Sequence, residues 1–297
     1  MPCVTSSVPP TQERCSVAPE IRIAREAGAC FGVERALKMV REAAAATTGP
    51  IKTLGPLIHN PRVVGELGQA GVEVTEDAVQ EPGTTLVLRT HGVSPQVEEA
   101  AKASGATVLD ATCPFVKSVH RAAERLSAEG YQVVLVGEKG HPEVEATLAH
   151  APGALVVSSA DEARKVELGH KVGVVVQTTQ SKQRLGEVVA VLVARVDELR
   201  VMNTICAATS GRQRAASALA AKASVMIVIG GRNSANTRRL AEICLEACPN
   251  THHIESEAEL DPAWFCDAAL VGITAGASTP REHIEQVRAA IERMVGE

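Results

Sequence analysis

Aromatic side chains are scarce in this chain, which has one Trp, one Tyr and three Phe among its 297 residues. The core must therefore be built from Val, Ile, Leu and Ala. Proteins that bind single-stranded nucleic acid stack bases on aromatic rings and contact phosphates with basic side chains. Because aromatics are only 2% of the composition and the formal net charge is −5, the sequence argues against a nucleic-acid partner.

Long hydrophobic runs are also missing. No stretch of 18 or more apolar residues occurs, so no membrane span is predicted. The first twenty residues lack the basic and apolar regions of a secretory signal, and we interpret 1–20 as an N-terminal tail. We therefore expect a cytoplasmic protein, in which the eight cysteines are reduced thiols or metal ligands rather than a disulfide framework.

The chain repeats a domain-sized pattern three times. In each unit short apolar runs alternate with amphipathic helical segments, and the runs are continuously apolar, as in parallel sheets buried on both faces. The sequence predicts an α/β fold of three small doubly wound domains, each with a mostly parallel sheet, around a pseudo-threefold axis. The expected domains are 21–112, 113–205 and 206–297.

One cysteine opens each unit at the end of a predicted strand, directly before a helix. These are Cys30, Cys113 and Cys206, at spacings of 83 and 93 positions. A single buried cysteine is usually core packing, but three at equivalent places are not explained that way. Zinc would usually need a fourth protein ligand, often at short C-x₂₋₄-C spacing. Three distant thiolates fit a central [4Fe–4S] cluster with one iron not bound by cysteine.

The other cysteines are expected to be structural. Cys244 and Cys248 share one helix face and precede His252 and His253, a pattern that would suit a metal. Apolar residues on the same face favour core packing instead. We also expect Cys266 in the core, and Cys3 and Cys15 in the tail outside the site.

Polar residues follow the other predicted strands. Ligands of open parallel sheets bind at the carboxyl ends of the strands, where helix N-termini also favour anions. The residues expected there are His59, His91, His141, Thr178, Thr179, Ser234, Ala235, Asn236 and Ser278, with Ala235 contributing only its backbone N–H. Glu143, two residues after His141, would act as a proton donor if it is buried. The alternative for Glu143 is a carboxylate that stabilises a helix start.

Several of these segments match a known family in order. The matching motifs run from about residue 21 to residue 290 and read GACFGVERA, GPLIHNPRVVGEL, RTHGVSP, DATCPFVKSVH, GHPEVEAT, QTTQS, NTICAAT, GGRNSANTRRLAEIC and GITAGASTP. The chain resembles the LytB-type family of 4-hydroxy-3-methylbut-2-enyl diphosphate reductases.

The resemblance implies an iron–sulfur reductase of the methylerythritol phosphate pathway. Its substrate loses a hydroxyl with two electrons and two protons to give isopentenyl and dimethylallyl diphosphates. By position, Cys30, Cys113 and Cys206 would hold the cluster, and the diphosphate would contact the polar ring, chiefly His59, His91, Ser234, Asn236 and Ser278. Glu143, Thr178 and His141 would be the catalytic group. Because no flavin or nicotinamide motif is visible, ferredoxin or flavodoxin would supply electrons.

Two positions depart from the family pattern. The family usually has N-S-S-N where this chain has Asn233-Ser234-Ala235-Asn236, so one donor hydroxyl is missing at Ala235. Since a hydrogen bond contributes on the order of 0.5–3 kcal/mol, we expect weaker substrate binding but retained activity. Ala29 in GAC replaces the more usual Phe and is expected to affect only packing near the cluster.

Two other functions remain open at this point. A hydro-lyase would use the open iron only as a Lewis acid on a small phosphorylated hydroxy compound, and would need no electrons. A non-catalytic iron–sulfur sensor would need neither Glu143 nor the diphosphate donors. Turnover without a reductant would favour the hydro-lyase. A Glu143→Gln change that leaves function unchanged would favour the sensor.

Overall fold

The computed structural model describes residues 18–296. Within them, twelve strands alternate with ten α-helices. The strands are β1 Glu20–Ile23, β2 Ile51–Leu54, β3 Val72–Thr75, β4 Thr85–Leu88, β5 Thr107–Asp110, β6 Gln132–Val136, β7 Leu155–Val157, β8 Lys171–Val176, β9 Glu198–Val201, β10 Val225–Ile229, β11 Thr251–Ile254 and β12 Leu270–Ala275. The helices are α1 Phe31–Ala46, α2 Pro61–Gln69, α3 Pro95–Ala103, α4 Pro114–Ala128, α5 Pro142–Ala149, α6 Ala160–Lys165, α7 Lys182–Val193, α8 Ala207–Ala220, α9 Ala235–Ala247 and α10 Arg281–Gly296.

The strands form three separate four-stranded sheets in which every neighbouring pair is parallel. Their orders are β3-β2-β4-β5, β7-β6-β8-β9 and β1-β12-β10-β11. We call them the first, second and third sheets. The predicted α/β class with three small parallel-sheet units is confirmed.

The strand before Cys30 has a different partner from the one the repeat suggests. Strand β1 pairs with β12, with Glu20 opposite Leu270 and Ile23 opposite Ile273, so it lies at the edge of the third sheet. The strands before Cys113 and Cys206 are likewise the last edge strands of the first and second sheets. Each cysteine therefore lies between the strand that completes one sheet and a helix that packs on the next sheet. The expected boundaries 112/113 and 205/206 stay predictions.

Helices cover both faces of each sheet, which explains the continuous apolar runs. In β10, Ile227 and Ile229 belong to a core with α10, while Met226 and Val228 pack with α8 and α9 on the other face. The second sheet is divided in the same way, with Val134 facing α7 and Val133 facing α4. Successive strand residues point to opposite faces, so a strand buried on both sides needs apolar residues throughout.

Among the described residues, no helix combines the length and the apolar character that a membrane span needs. The strands of each sheet are parallel, so their carboxyl ends lie at one edge. The helices that leave this edge include α1, α4 and α8, and their N-caps are Cys30, Cys113 and Cys206.

Candidate active site

A central cavity lies where the three units meet, with about 830 Å³ of space that includes its opening to solvent. All thirteen side chains that the sequence singled out line this one cavity. They are Cys30, His59, His91, Cys113, His141, Glu143, Thr178, Thr179, Cys206, Ser234, Ala235, Asn236 and Ser278. The fold therefore brings together the whole predicted set, although placement alone does not test the roles assigned to its members.

The three cysteines enter the cavity in the same way. Each is the N-cap of a helix, each is partly exposed, and none uses its side chain to cap that helix. Gly32 permits their approach, because a Cβ there would lie 2.6 Å from the Sγ of Cys113 and 3.9 Å from the Sγ of Cys30. A larger residue at Gly32 would displace a thiol.

The surroundings of Cys113 disfavour its charged form when no metal is bound. Burial raises the pKa of Cys113, and the neighbouring Cys30 and Cys206 raise it further, against backbone N–H groups of Phe115 and Val116 that lower it. A free thiolate would be poorly solvated there. A metal ion bound there would deprotonate the thiol and stabilise the thiolate.

Arg212 is a functional candidate that the sequence reasoning missed. Its guanidinium is buried, donates to the Gly28 carbonyl at 2.8 Å, and has its Nε without a hydrogen-bond partner among the described residues. Burial lowers its pKa, while Cys30 and Cys206 raise it. A buried cation beside thiolates offsets negative charge. The sequence contains one signal for this role, which is an arginine among the small and apolar residues on one face of α8.

The remaining described cysteines do not line the cavity. Cys244 and Cys248 are buried in the core between α9 and the third sheet, as expected. His252 stacks on Trp264, and His253 bonds to the Gly230 carbonyl. Cys266 was expected in the core but is exposed, because it follows a short 3₁₀ turn at the surface. Cys3 and Cys15 lie outside the described residues.

Three histidines form a compact cluster in the cavity. Ring centroids are 4.2 Å apart for His59 and His91, 5.2 Å for His59 and His141, and 5.6 Å for His91 and His141. Burial lowers the pKa of all three, that of His91 well below its usual value and that of His141 to about 3. Neighbouring rings and Arg89 add to the effect. The imidazoles are therefore neutral near pH 7.

Unpartnered polar atoms surround the histidine cluster. His59 Nε2, His91 Nδ1 and both polar atoms of the Asn236 side chain are buried without a partner among the described residues. Buried polar atoms are almost always hydrogen-bonded, so these point to a polar ligand. Ser234 and Ser278 lie in the same cavity, and Ser234 is the N-cap of α9. The three ligating ring atoms lie within 4.8 Å of one another, so the cluster could also hold a metal ion.

Glu143 and Thr178 form a buried pair between α5 and the end of β8. The Thr178 backbone N–H and hydroxyl donate to the two carboxylate oxygens at 2.6 and 2.8 Å. Both residues are buried, and burial raises the pKa of Glu143 to about 7 despite these bonds. His141 is the N-cap of α5 and accepts from the Glu143 N–H at 3.1 Å. A carboxyl group that titrates near pH 7 is suited to proton transfer.

Two further predicted positions complete the wall. Ala235 is the first residue of α9 and is buried. The Thr179 hydroxyl accepts from the Gln177 side chain at 3.0 Å. The fold and the site thus define a class: a three-unit α/β protein whose central cavity joins three thiols, a neutral histidine cluster and a buried carboxyl group.

Comparison with known proteins identifies the family within that class. The family model described as "LytB protein" matches residues 21–292, and the chain belongs to this family. A curated relative from Geobacter sulfurreducens is 49% identical over 276 residues, which cover 93% of this chain and 96% of the relative. One from Aquifex aeolicus is 47% identical over 279 residues, with the same coverages. Both are named 4-hydroxy-3-methylbut-2-enyl diphosphate reductase.

Two solved structures share the fold. One is described as (E)-4-hydroxy-3-methyl-but-2-enyl diphosphate reductase, the terminal enzyme of the non-mevalonate pathway; it is 47% identical, has a TM-score of 0.70, and the match covers 93% of this chain and 99% of the other. The second is the E-1-hydroxy-2-methyl-but-2-enyl-4-diphosphate reductase from Plasmodium falciparum, at 28% identity and a TM-score of 0.87, covering 93% and 89%.

Proposed function

We propose that this chain is a 4-hydroxy-3-methylbut-2-enyl diphosphate reductase. It removes the allylic hydroxyl of the substrate: the C–O bond breaks, two electrons and two protons enter, and water leaves with isopentenyl or dimethylallyl diphosphate as the organic product. The observation that carries the proposal is the buried Glu143–Thr178 pair in the same cavity as three thiols. The names of the relatives, similar over more than nine-tenths of the chain, support the substrate.

The donor set fits one [4Fe–4S] cluster with an iron not bound by cysteine. Cys30, Cys113 and Cys206 would hold it, and Arg212 would offset its negative charge. No other described cysteine lines the cavity, which leaves the fourth iron without a thiolate. When bound, the cluster supplies electrons and a Lewis-acidic iron.

The diphosphate would be held by the unpartnered donors. Asn236, Ser234 and Ser278 supply neutral donors, and His59 and His91 supply ring nitrogens. A dianionic group beside neutral histidines favours their protonated forms. The mixture of hydroxyl, amide and imidazole donors near the start of α9 fits phosphate oxygens better than a metal ion.

Proton transfer would run through Glu143. Below pH 7 its carboxyl group holds a proton at one oxygen, and the Thr178 hydroxyl at 2.8 Å links that oxygen to the cavity. Thr178 would orient the leaving hydroxyl, and His141 fixes the start of α5 on which Glu143 lies.

Electrons would come from ferredoxin or flavodoxin, since the chain has no nicotinamide or flavin motif. The cytoplasmic location expected from the sequence stays a prediction.

Anaerobic reconstitution with iron and sulfide, followed by assay with the diphosphate substrate and a chemical reductant, tests the proposal. We expect isopentenyl and dimethylallyl diphosphates only when the reductant is present. An intact cluster without either product would refute the reductase. Turnover without reductant would instead support the hydro-lyase, and binding without turnover the sensor.

The ligand assignment has its own test. Cys30→Ser, Cys113→Ser and Cys206→Ser should each abolish the absorbance of a thiolate-bound cluster at ~400 nm. Cys244→Ser is the matched control, because Cys244 is buried in the core of the third unit away from the cavity. Loss of the band in that control alone would overturn the assignment.

A further inference from the structure

Two of the three phenylalanines are exposed beside the cavity thiols. Phe31 directly follows Cys30 and is 64% exposed, and Phe115 lies two residues after Cys113 and is 44% exposed. Both border the central cavity. In a chain with so few aromatic residues, exposed rings next to the proposed cluster ligands form an apolar patch of the kind that marks interaction sites.

A basic residue lies eight positions after each of the three cysteines. These residues are Lys38, Arg121 and Arg214, and all three are exposed. Each lies seven residues after the first residue of its helix, which places it on the same stripe about 10 Å further along. The first residues of these helices, Phe31, Pro114 and Ala207, are also exposed. The three helices begin at the cavity, so each basic residue lies about two helical turns from the cysteine that precedes its helix.

This part of the surface differs in charge from the whole chain. In the eleven residues after each cysteine, the exposed charged side chains are four basic and two acidic, whereas the chain has a net charge of −5; they are Lys38, Arg41, Arg121 and Arg214, and Glu34 and Glu124. Lys38 contacts Glu42 at 3.7 Å, an exposed pair. Arg121 donates to the Ser118 hydroxyl, and neither Arg121 nor Arg214 forms an ion pair with a described residue. The positive charges of Arg121 and Arg214 are therefore available to an acidic partner.

We propose that the exposed starts of α1, α4 and α8 form the docking face for an acidic electron-carrier protein of the ferredoxin type. Phe31 and Phe115 form its apolar centre, and Lys38, Arg121 and Arg214 its basic rim. The inference rests on the proposed function, since only a reductase needs such a donor. Weak redox complexes have small interfaces, in which rim charges set the encounter rate and the dependence on salt.

The position of the face also fits electron delivery. It lies at the cysteines themselves, so a carrier docked there brings its redox centre near the three thiolates without entering the substrate cavity. The alternative occupant is a second copy of this chain, which the same experiment would reveal.

The test compares two charge-reversal variants of the reconstituted holoenzyme. The first is K38E/R121E/R214E. The second is K165E/K222E/R293E, which carries the same charge change on exposed residues at the carboxyl ends of helices, away from the cavity edge. Affinity for a purified [2Fe–2S] ferredoxin of net negative charge is measured anaerobically at low and high salt, together with the cluster absorbance and the oligomeric state. Phe115→Ser, measured in the same way, tests the apolar centre.

We expect the first variant to lose about tenfold or more in ferredoxin affinity at low salt, with a flatter salt dependence, while the control stays close to the unmodified enzyme. Turnover with a small chemical reductant should be unchanged in the first variant, because docking is bypassed. Equal ferredoxin affinity in both variants, or a dimer that only the first variant disrupts, would overturn the docking face. Ferredoxin binding that depends on the rim, in an enzyme that forms no isoprenoid product, would instead refute the proposed function.

Discussion

Glu143 owes its proposed role to its surroundings rather than to its type. An exposed glutamate is ionised at pH 7, whereas burial raises the pKa of Glu143 to about 7 and outweighs the two bonds from Thr178 that lower it. At the sequence level, a proton donor and a helix-start carboxylate were equally good interpretations. The buried position beside the thiols favours the proton donor, and the role stays a proposal.

The first prediction concerns the pH dependence of turnover. The active form holds the proton, so the rate should fall as pH rises through about 7, with the potential of the chemical reductant held constant. Glu143→Gln should reduce the rate by ~10²–10⁴-fold and abolish this pH limb. Glu145→Gln, two residues along the same helix and exposed, is the control. A pH limb that persists in Glu143→Gln would show that another group supplies the proton.

The second prediction concerns the missing hydroxyl at Ala235. The residue is buried in the cavity wall at the first position of α9, where a serine would add one donor to the diphosphate. Ala235→Ser should tighten substrate binding by about 0.5–1.5 kcal/mol, roughly two- to tenfold. Direct binding to the holoenzyme measures this, with Ala247→Ser, exposed at the last residue of the same helix, as the control. Unchanged affinity in Ala235→Ser would mean that this position does not contact the diphosphate.

At the scale of single elements, helix N-termini build most of the site. Cys30, Cys113, His141 and Ser234 are N-caps of helices that start at the cavity. The α2 N-cap, Asn60, joins two units: its Oδ1 accepts from the Val63 N–H at 3.2 Å, and its Nδ2 donates to the Ser278 carbonyl at 2.8 Å. One side chain therefore caps a helix of the first unit and fixes the third unit beside it.

The third prediction separates these two contributions of Asn60. Asn60→Ala loses the cap and leaves the Ser278 carbonyl unpaired, so the free energy of unfolding should fall by about 1–3 kcal/mol. Ser94→Ala is the control, because Ser94 caps α3 through the Val97 N–H, and among the described residues its side chain makes no hydrogen bond to another unit. Urea unfolding measures both variants. If both variants lost the same free energy of unfolding, the bond from Asn60 to the Ser278 carbonyl would contribute no stability.

At the scale of the whole molecule, the chain closes on itself through β1. This strand begins at Glu20, the last residue of the predicted tail, and completes the third sheet beside β12, where Ile21 and Ile23 pack against the core. The Cys30 N–H then donates to the Ala277 carbonyl at 3.2 Å. The first cysteine is therefore positioned by the third unit, although α1 packs on the first sheet.

The fourth prediction follows from this closure. Ile23→Asp should lower the free energy of local opening that protects the β12 amides from exchange by about 1–3 kcal/mol. Protection of the β4 amides should not change. Ile51→Asp, in the core of the first unit, should do the reverse. Hydrogen exchange followed segment by segment makes the comparison. Loss of protection in β4 rather than β12 after Ile23→Asp would contradict the pairing.

Sequence reasoning was effective where periodicity or repetition carried the information. Continuous apolar strands predicted parallel sheets buried on both faces, and the threefold repeat predicted the cavity that the thirteen side chains line. It failed where a side chain depends on distant partners. Arg212 has no signature beyond its position on an apolar helix face, and Cys266 is exposed because a surface turn precedes it.

The sequence by itself determined the α/β class, the three units and the residues at the strand ends, because these depend on local pattern and on the single edge that parallel strands share. Only the tertiary structure decided that β1 joins the third sheet, that Glu143 is buried against Thr178, and that the histidine rings are buried and therefore neutral. Partner choice and pKa depend on burial and on distances between residues far apart in the chain, which no local pattern contains.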